Sequence, residues 1–327
     1  MTRRTIGLLA LVLSAALVVP TSVAARPARP PHAAVPGTTC SLFPFDNVWN
    51  MDISKLPVHP KSDVWKKAMH AGKTKLHPDF GPPNYGIPFN VVQGGMPVKV
   101  PIDFTYASES DHGPYPFNGA TPIEGGSDRH ALTVDSDTCM LYELFNARWN
   151  GGDPTAGSGA IFDLNSNDLR HAGWTSADAA GLPILPGLVR YDEVLAGYIG
   201  HAIRVTSDCT SRNYLWPARH QAGVRDPRCP PMGARFRLKK GFNVSSYSKN
   251  AKVVLDAFKH FGLIVADNGS DWYFQGTVDH DWTNGLMDQL KRVPAGAFVA
   301  VNEAGCKVSA GSGQFAYGPK CPSPNPT

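Results

Sequence analysis

Between Phe80 and Gly276 the chain alternates short apolar runs with turn residues, and few runs are long enough to be helices. The runs "NVVQ", "PVKVPIDFTY", "HALTVD", "CMLYELFNA", "GAIFDL", "GHAIRVT", "RFRLK", "GLIVAD" and "WYFQG" carry the apolar and β-branched content of strands. Gly- and Pro-rich breaks such as "FGPPNYG", "QGGMP", "IEGG" and "ADNGS" separate them. Helical periodicity is clearest in "SKNAKVVLDAFKHFG". Val253, Val254, Ala257, Phe258 and Phe261 form one stripe there, Ser248 supplies an N-cap and Gly262 a stop. Shorter helices are predicted over "RYDEVLAG", ended by Gly197, and "TNGLMDQLKRV", with Leu286 and Leu290 inward. Ser176 is placed to cap a helix in "ADAAG". The pattern predicts an α+β, β-rich fold: a sandwich or jelly-roll-like core with a few peripheral helices.

The first residues change this picture. "MTRRTIGLLALVLSAALVVPTSVAA" has a basic start, an apolar run from Ile6 to Val19 and small residues before Ala25, which is the pattern of a cleavable signal peptide over 1–25. Its apolar run is shorter than the ~20 residues of a bilayer span. Residues 26–39 are rich in Pro and Ala and read as a disordered leader; 322–327 read as a disordered tail. One β-rich domain is expected over 40–321. The protein is therefore expected to be secreted, extracellular or cell-wall associated, without a membrane span, and a monomer. Six cysteines in an exported chain read as three disulfides. Cys209–Cys229 and Cys306–Cys321 close short loops, which leaves Cys40 with Cys139.

The formal charge is +4, or +2 without Arg3 and Arg4, and the basic residues are scattered. This argues against a nucleic-acid partner, which needs a clustered basic face. No Cys-x-x-Cys pair, His-Glu-x-x-His motif or EF-hand spacing is present, so no metal and no cofactor are expected; "ADNGSDW" reads as a plain turn.

Two ten-residue stretches resemble each other: "HALTVDSDTC" from His130 and "HAIRVTSDCT" from His201. Each reads as one arm of a β-hairpin. With Ser136 and Asp137 as a two-residue loop, His130 would oppose Glu143, above a floor of Leu132, Val134, Leu141 and Cys139. "YELFNAR" and "YLWPARH" extend the likeness past the turns. Two such arms could face His130 and His201 toward one site.

That site suggests acid–base chemistry. Glu143 with a second acid, Asp163 (or Asp128 or Asp267), would hydrolyse a glycosidic bond. Alternatively, His130, His201 or Tyr214 would abstract a proton from a uronate whose carboxylate pairs with Arg219. A metal held by His130, Glu143 and His201 ranks last. Arg219, His220, Tyr214, Trp174 and Trp216 are the candidate substrate-binding residues, since aromatic faces stack on sugars. The structural alternatives are a cross-strand ion pair at His130 and Glu143, and a buried His201 that donates to a carbonyl.

The strings "FPFDNVWNMDIS", "GWTSADAAGLPILPGLVRYDEV", "GHAIRVT", "YLWPARH" and "GLIVADNGSDW" resemble those of a group of exported bacterial proteins. The resemblance covers nearly all of the chain after the leader. It implies a single secreted domain and carries no activity with it. The sequence thus points to a secreted enzyme on an extracellular or cell-wall polysaccharide or oligosaccharide, with a glycoside hydrolase ahead of a uronate lyase. The alternative is a non-catalytic carbohydrate-binding or wall-associated protein.

Overall fold

The computed structural model describes residues 34–324 and Met1; the expected signal peptide after Met1, leader residues 26–33 and the last three residues of the tail lie outside the described residues. Residues 34–324 belong to one compact unit. Ahead of Cys40, Val35 is fully buried, and its N–H donates to the Cys40 carbonyl at 2.9 Å.

Among the described residues, twelve strands and four α-helices make up a β-rich α+β fold. The strands are β1 (His77–Asp79), β2 (Phe89–Val92), β3 (Asp103–Phe104), β4 (Ala131–Asp135), β5 (Met140–Phe145), β6 (Thr155–Ala156), β7 (Ser158–Asp163), β8 (Ile203–Ser207), β9 (Arg235–Leu238), β10 (Leu263–Asn268), β11 (Tyr273–Gln275) and β12 (Phe298–Val301). The helices are α1 (Ser62–Ala68), α2 (Tyr191–Ala196), α3 (Lys249–His260) and α4 (Asn284–Leu290). A mixed six-stranded sheet runs β1-β11-β8-β10-β9-β12, a four-stranded one β2-β4-β5-β7, and β3 pairs with β6.

The four-stranded sheet is covered on both faces, because alternate side chains point opposite ways. Leu132, Val134, Leu141, Ala160 and Phe162 join Ile203, Val205, Leu263 and Val265 of the large sheet in one core. Ala131, Tyr142 and Leu144 face a second core with Phe104, Tyr115 and Phe117. The two larger sheets thus close over a shared apolar interior.

The helices follow their sequence signals closely. Ser248 caps α3 by accepting from the Ala251 N–H, and Phe258 of the apolar stripe meets Phe274 edge-on at 5.2 Å. Gly262 follows at φ +73°, where a Cβ would lie 2.4 Å from the Phe236 carbonyl, so only glycine fits this stop. Gly197 ends α2 in the left-handed conformation, and Thr283 caps α4. The Ser176 segment differs. The Ser176 hydroxyl accepts from the Asp178 N–H at 2.9 Å and donates to the Leu182 carbonyl at 2.6 Å, which makes a turn instead of a helix. The expected strand over 97–106 shrinks to β3, because Pro97 and Pro101 lack the N–H that a ladder needs.

All three expected disulfides form: Cys209–Cys229 and Cys306–Cys321, which close short loops, and the remaining pair Cys40–Cys139. Among the described residues no helix is long and apolar enough to cross a membrane.

Candidate active site

The likeness between the two histidine stretches does not extend to structure. β4 and β5 do form a hairpin, but Leu132, not His130, opposes Glu143. The loop is four residues rather than two, and Cys139 takes a positive φ of 55° within it. The two-residue shift keeps Glu143 on the face expected and slides its partner. The second stretch is no hairpin arm: β8 pairs in parallel with β10 and antiparallel with β11, inside the other sheet.

The histidines consequently serve different places. His130 is 3 % exposed; its Nδ1 lies 2.5 Å from Glu124 Oε2 and its Nε2 3.2 Å from the Ala177 carbonyl. His201 is 2 % exposed, with Nδ1 on the Ala202 carbonyl at 2.8 Å and Nε2 on Glu193 of α2 at 3.0 Å. Each ring has an acceptor at both nitrogens, so neither offers a lone pair to a substrate, and they share no partner. Glu143 is fully buried between the sheets. Its Oε1 accepts from the N–H groups of Ile184 and Leu185, both at 2.9 Å, where a 3-10 turn begins. Burial pushes its carboxyl up to about 7 against those two donors. The common centre expected of His130, His201 and Glu143 is replaced by two separate histidine–glutamate contacts and a capped loop.

The remaining candidates separate into three hollows. Asp163, exposed and accepting from the Asn165 N–H at 2.8 Å, lines one of about 280 Å³ with Trp174. Tyr214, Trp216 and Arg219 line a groove of about 490 Å³. His220 lines a cavity of about 330 Å³ together with Asp267, Asp178, Glu109, Tyr106 and Phe145. Asp128 is exposed.

The last cavity is lined by Asp178, Asp267, Glu109 and His220 together. It begins with a bulge. β8 and β10 pair Val205 with Val265, but the register then slips, so that Asp267 sits beside Thr206. Arg204 is two residues from Thr206 and points the same way. Without the bulge Asp267 would lie on the opposite face of the sheet. Arg204 grips Asp178 with Nε and Nη2, both at 3.0 Å, and reaches Asp267 Oδ2 at 3.5 Å. Asp178 comes from the Ser176 turn, whose Ala180 carbonyl accepts the N–H groups of Arg219 and His220. That brings His220 to the rim. Its Nδ1 lies 2.8 Å from the Ala179 carbonyl and therefore carries the hydrogen, while Nε2 faces Glu109 Oε2 at 3.7 Å. Glu109 is held in turn by the Thr175 N–H at 3.1 Å.

One arginine cannot offset two adjacent carboxylates. Asp178, fully buried, takes the ion pair. Asp267 is pushed up to about 7 by burial first and by the Asp178 charge second; Asp178 is itself raised by burial. Both carboxylates face the one Arg204 guanidinium. Asp267 retains 24 % side-chain exposure and opens into the cavity. The result is a carboxylic acid able to give up a proton near neutral pH, in the same cavity as a second acid and an oriented imidazole.

Asp267 was visible in the sequence as the acid ending a buried strand. Asp178 and Glu109 were not: "TSADAAG" and "YASESD" are ordinary polar loops, and only the fold brings them to Asp267. No protein-family model matches the chain, and no curated protein or solved structure matches it either.

Proposed function

We propose that the protein is a secreted glycoside hydrolase of an extracellular or cell-wall polysaccharide, with its acid–base pair at Asp267 and Glu109 in place of Glu143. The observation that carries this reading is Asp267, a carboxyl at about 7, opening into a cavity that Glu109 and His220 also line. Asp267 donates its proton to the glycosidic oxygen as the bond to the anomeric carbon breaks. Glu109, positioned by Thr175 and His220, takes a proton from the water that adds to that carbon. Proton exchange with solvent then restores both groups. Arg204 and Asp178 hold Asp267 in place and set its proton affinity. The exposed ring of Tyr106 and the ring of Phe145 supply apolar faces for a sugar. Three disulfides fit an oxidising, extracellular setting.

The test is a panel of neutral and acidic polysaccharides, assayed for new reducing ends and for unsaturated products. Reducing ends without unsaturation are expected, and Asp267→Asn should lower the rate by about 10²–10⁴-fold. Full activity in Asp267→Asn and in Glu109→Gln removes the site. The non-catalytic reading is favoured by one observation, the groove lined by Tyr214 and Trp216, and it gains if saccharides bind the protein without cleavage.

A further inference from the structure

The Tyr214 groove contains an unsatisfied group. Glu303 is 7 % exposed and lines the groove. Its Oε2 meets Arg235 Nη1 at 3.2 Å, but its Oε1 is buried with no hydrogen-bond partner among the described residues. A buried acceptor without a donor is rare in a folded protein and calls for one from outside the chain. Arg235 does not turn away to leave it. The guanidinium is fixed by the carbonyls of Phe261 (2.8 Å), Val48 (2.9 Å) and Met51 (3.2 Å), so Glu303 is held in place.

Beside small and apolar residues, the lining carries three cationic side chains and the rings of Tyr214 and Trp216. Arg219 is anchored through Nε to the Arg170 carbonyl and through Nη1 to the Ala310 carbonyl, both at 2.7 Å. Lys307 is exposed and makes no ion pair among the described residues. Tyr214 is 37 % exposed, and Trp216 is fixed by its Nε1 on the Ser312 carbonyl at 2.8 Å. Glu303 is the only acid in the lining, against Arg219, Arg235 and Lys307. The groove therefore favours an anion that also brings a hydroxyl donor and an apolar face. Arg219 and His220 are consecutive and line the groove and the Asp267 cavity respectively.

We propose that this groove is a binding subsite for an acidic sugar residue of a polymer: its carboxylate meets Lys307 and Arg219, a ring hydroxyl donates to Glu303 Oε1, and its apolar face lies on Tyr214 and Trp216. The term subsite rests on the saccharide reading of the Asp267 cavity, but binding is measured apart from turnover. The experiment is calorimetry of the full mature protein carrying Asp267→Asn, with tetragalacturonate and with cellotetraose as the neutral control. Tetragalacturonate is expected to bind in preference. Lys307→Ala and Tyr214→Ala, both at exposed positions, should each weaken it about tenfold while leaving the melting temperature unchanged. Glu303→Gln tests the buried acceptor and should also weaken binding. Absence of tetragalacturonate binding, equal binding of the neutral tetramer, or affinities untouched by both surface substitutions each overturn the subsite. Loss of hydrolysis in the polysaccharide panel, with this binding intact, would overturn only the reading of Asp267.

Discussion

A carboxyl group removed from water must be neutral or well bonded, and Glu143 meets that demand structurally: it gives the N–H groups of Ile184 and Leu185 their acceptor. Glu143→Ala should therefore cost about 2–4 kcal/mol in a denaturant titration, because two buried donors lose their partner. The pH dependence has a definite sign. Glu143, Asp267 and Glu303 are all pushed up to about 7, so between about 4.5 and 7 the folded chain holds protons that the unfolded chain releases. Stability should fall as pH rises through that window and level off above it, Glu143 alone accounting for about 3 kcal/mol. Melting temperatures from pH 4.5 to 8 check this, and Glu143→Gln should flatten the slope. Asp46 is lowered by Asn167 and Gln314, so its contribution is lost only in stronger acid, below the usual aspartate range. At this scale the sequence marked Glu143 as placed on an apolar face, but not that backbone donors would meet it there.

Among the elements, α3 is the one whose sequence and structure agree at every position that matters: cap, stripe and stop. Ser248→Ala removes the oxygen that accepts from Ala251 and should cost about 1 kcal/mol, read from the shift in denaturation midpoint. Gly262→Ala should cost more, since its Cβ would strike the Phe236 carbonyl. A helix periodicity of this kind is legible because it depends on neighbours three and four residues apart. Strand pairing is not local, and the two histidine stretches show the difference. They share a pattern of residues but enter different sheets, one by a tight hairpin and the other as the parallel partner of a strand nearly sixty residues on. The bulge in β10 is equally invisible locally, and it alone puts Asp267 on the face of Arg204.

At the level of the whole molecule, Cys40–Cys139 ties the segment around Cys40 to the β4–β5 hairpin across a separation of 99 residues, while Cys306–Cys321 spans 15. Loop closure makes the first worth about 4–5 kcal/mol and the second about 3. Replacing both cysteines of the long loop by serine should lower the melting temperature more than the same change in the short one. The cysteine count, the turn spacing and the apolar runs determined by themselves that the chain would be a cystine-braced, β-rich α+β protein, since each is a statement about near neighbours or composition. Which acid meets which base was decided only in three dimensions. Asp178, Arg204, Asp267 and Glu109 come from four separate segments, and the proton affinity of Asp267 depends on burial and on a charge 89 residues away in the chain. Burial is a property of the assembled core, so no short stretch of sequence contains it.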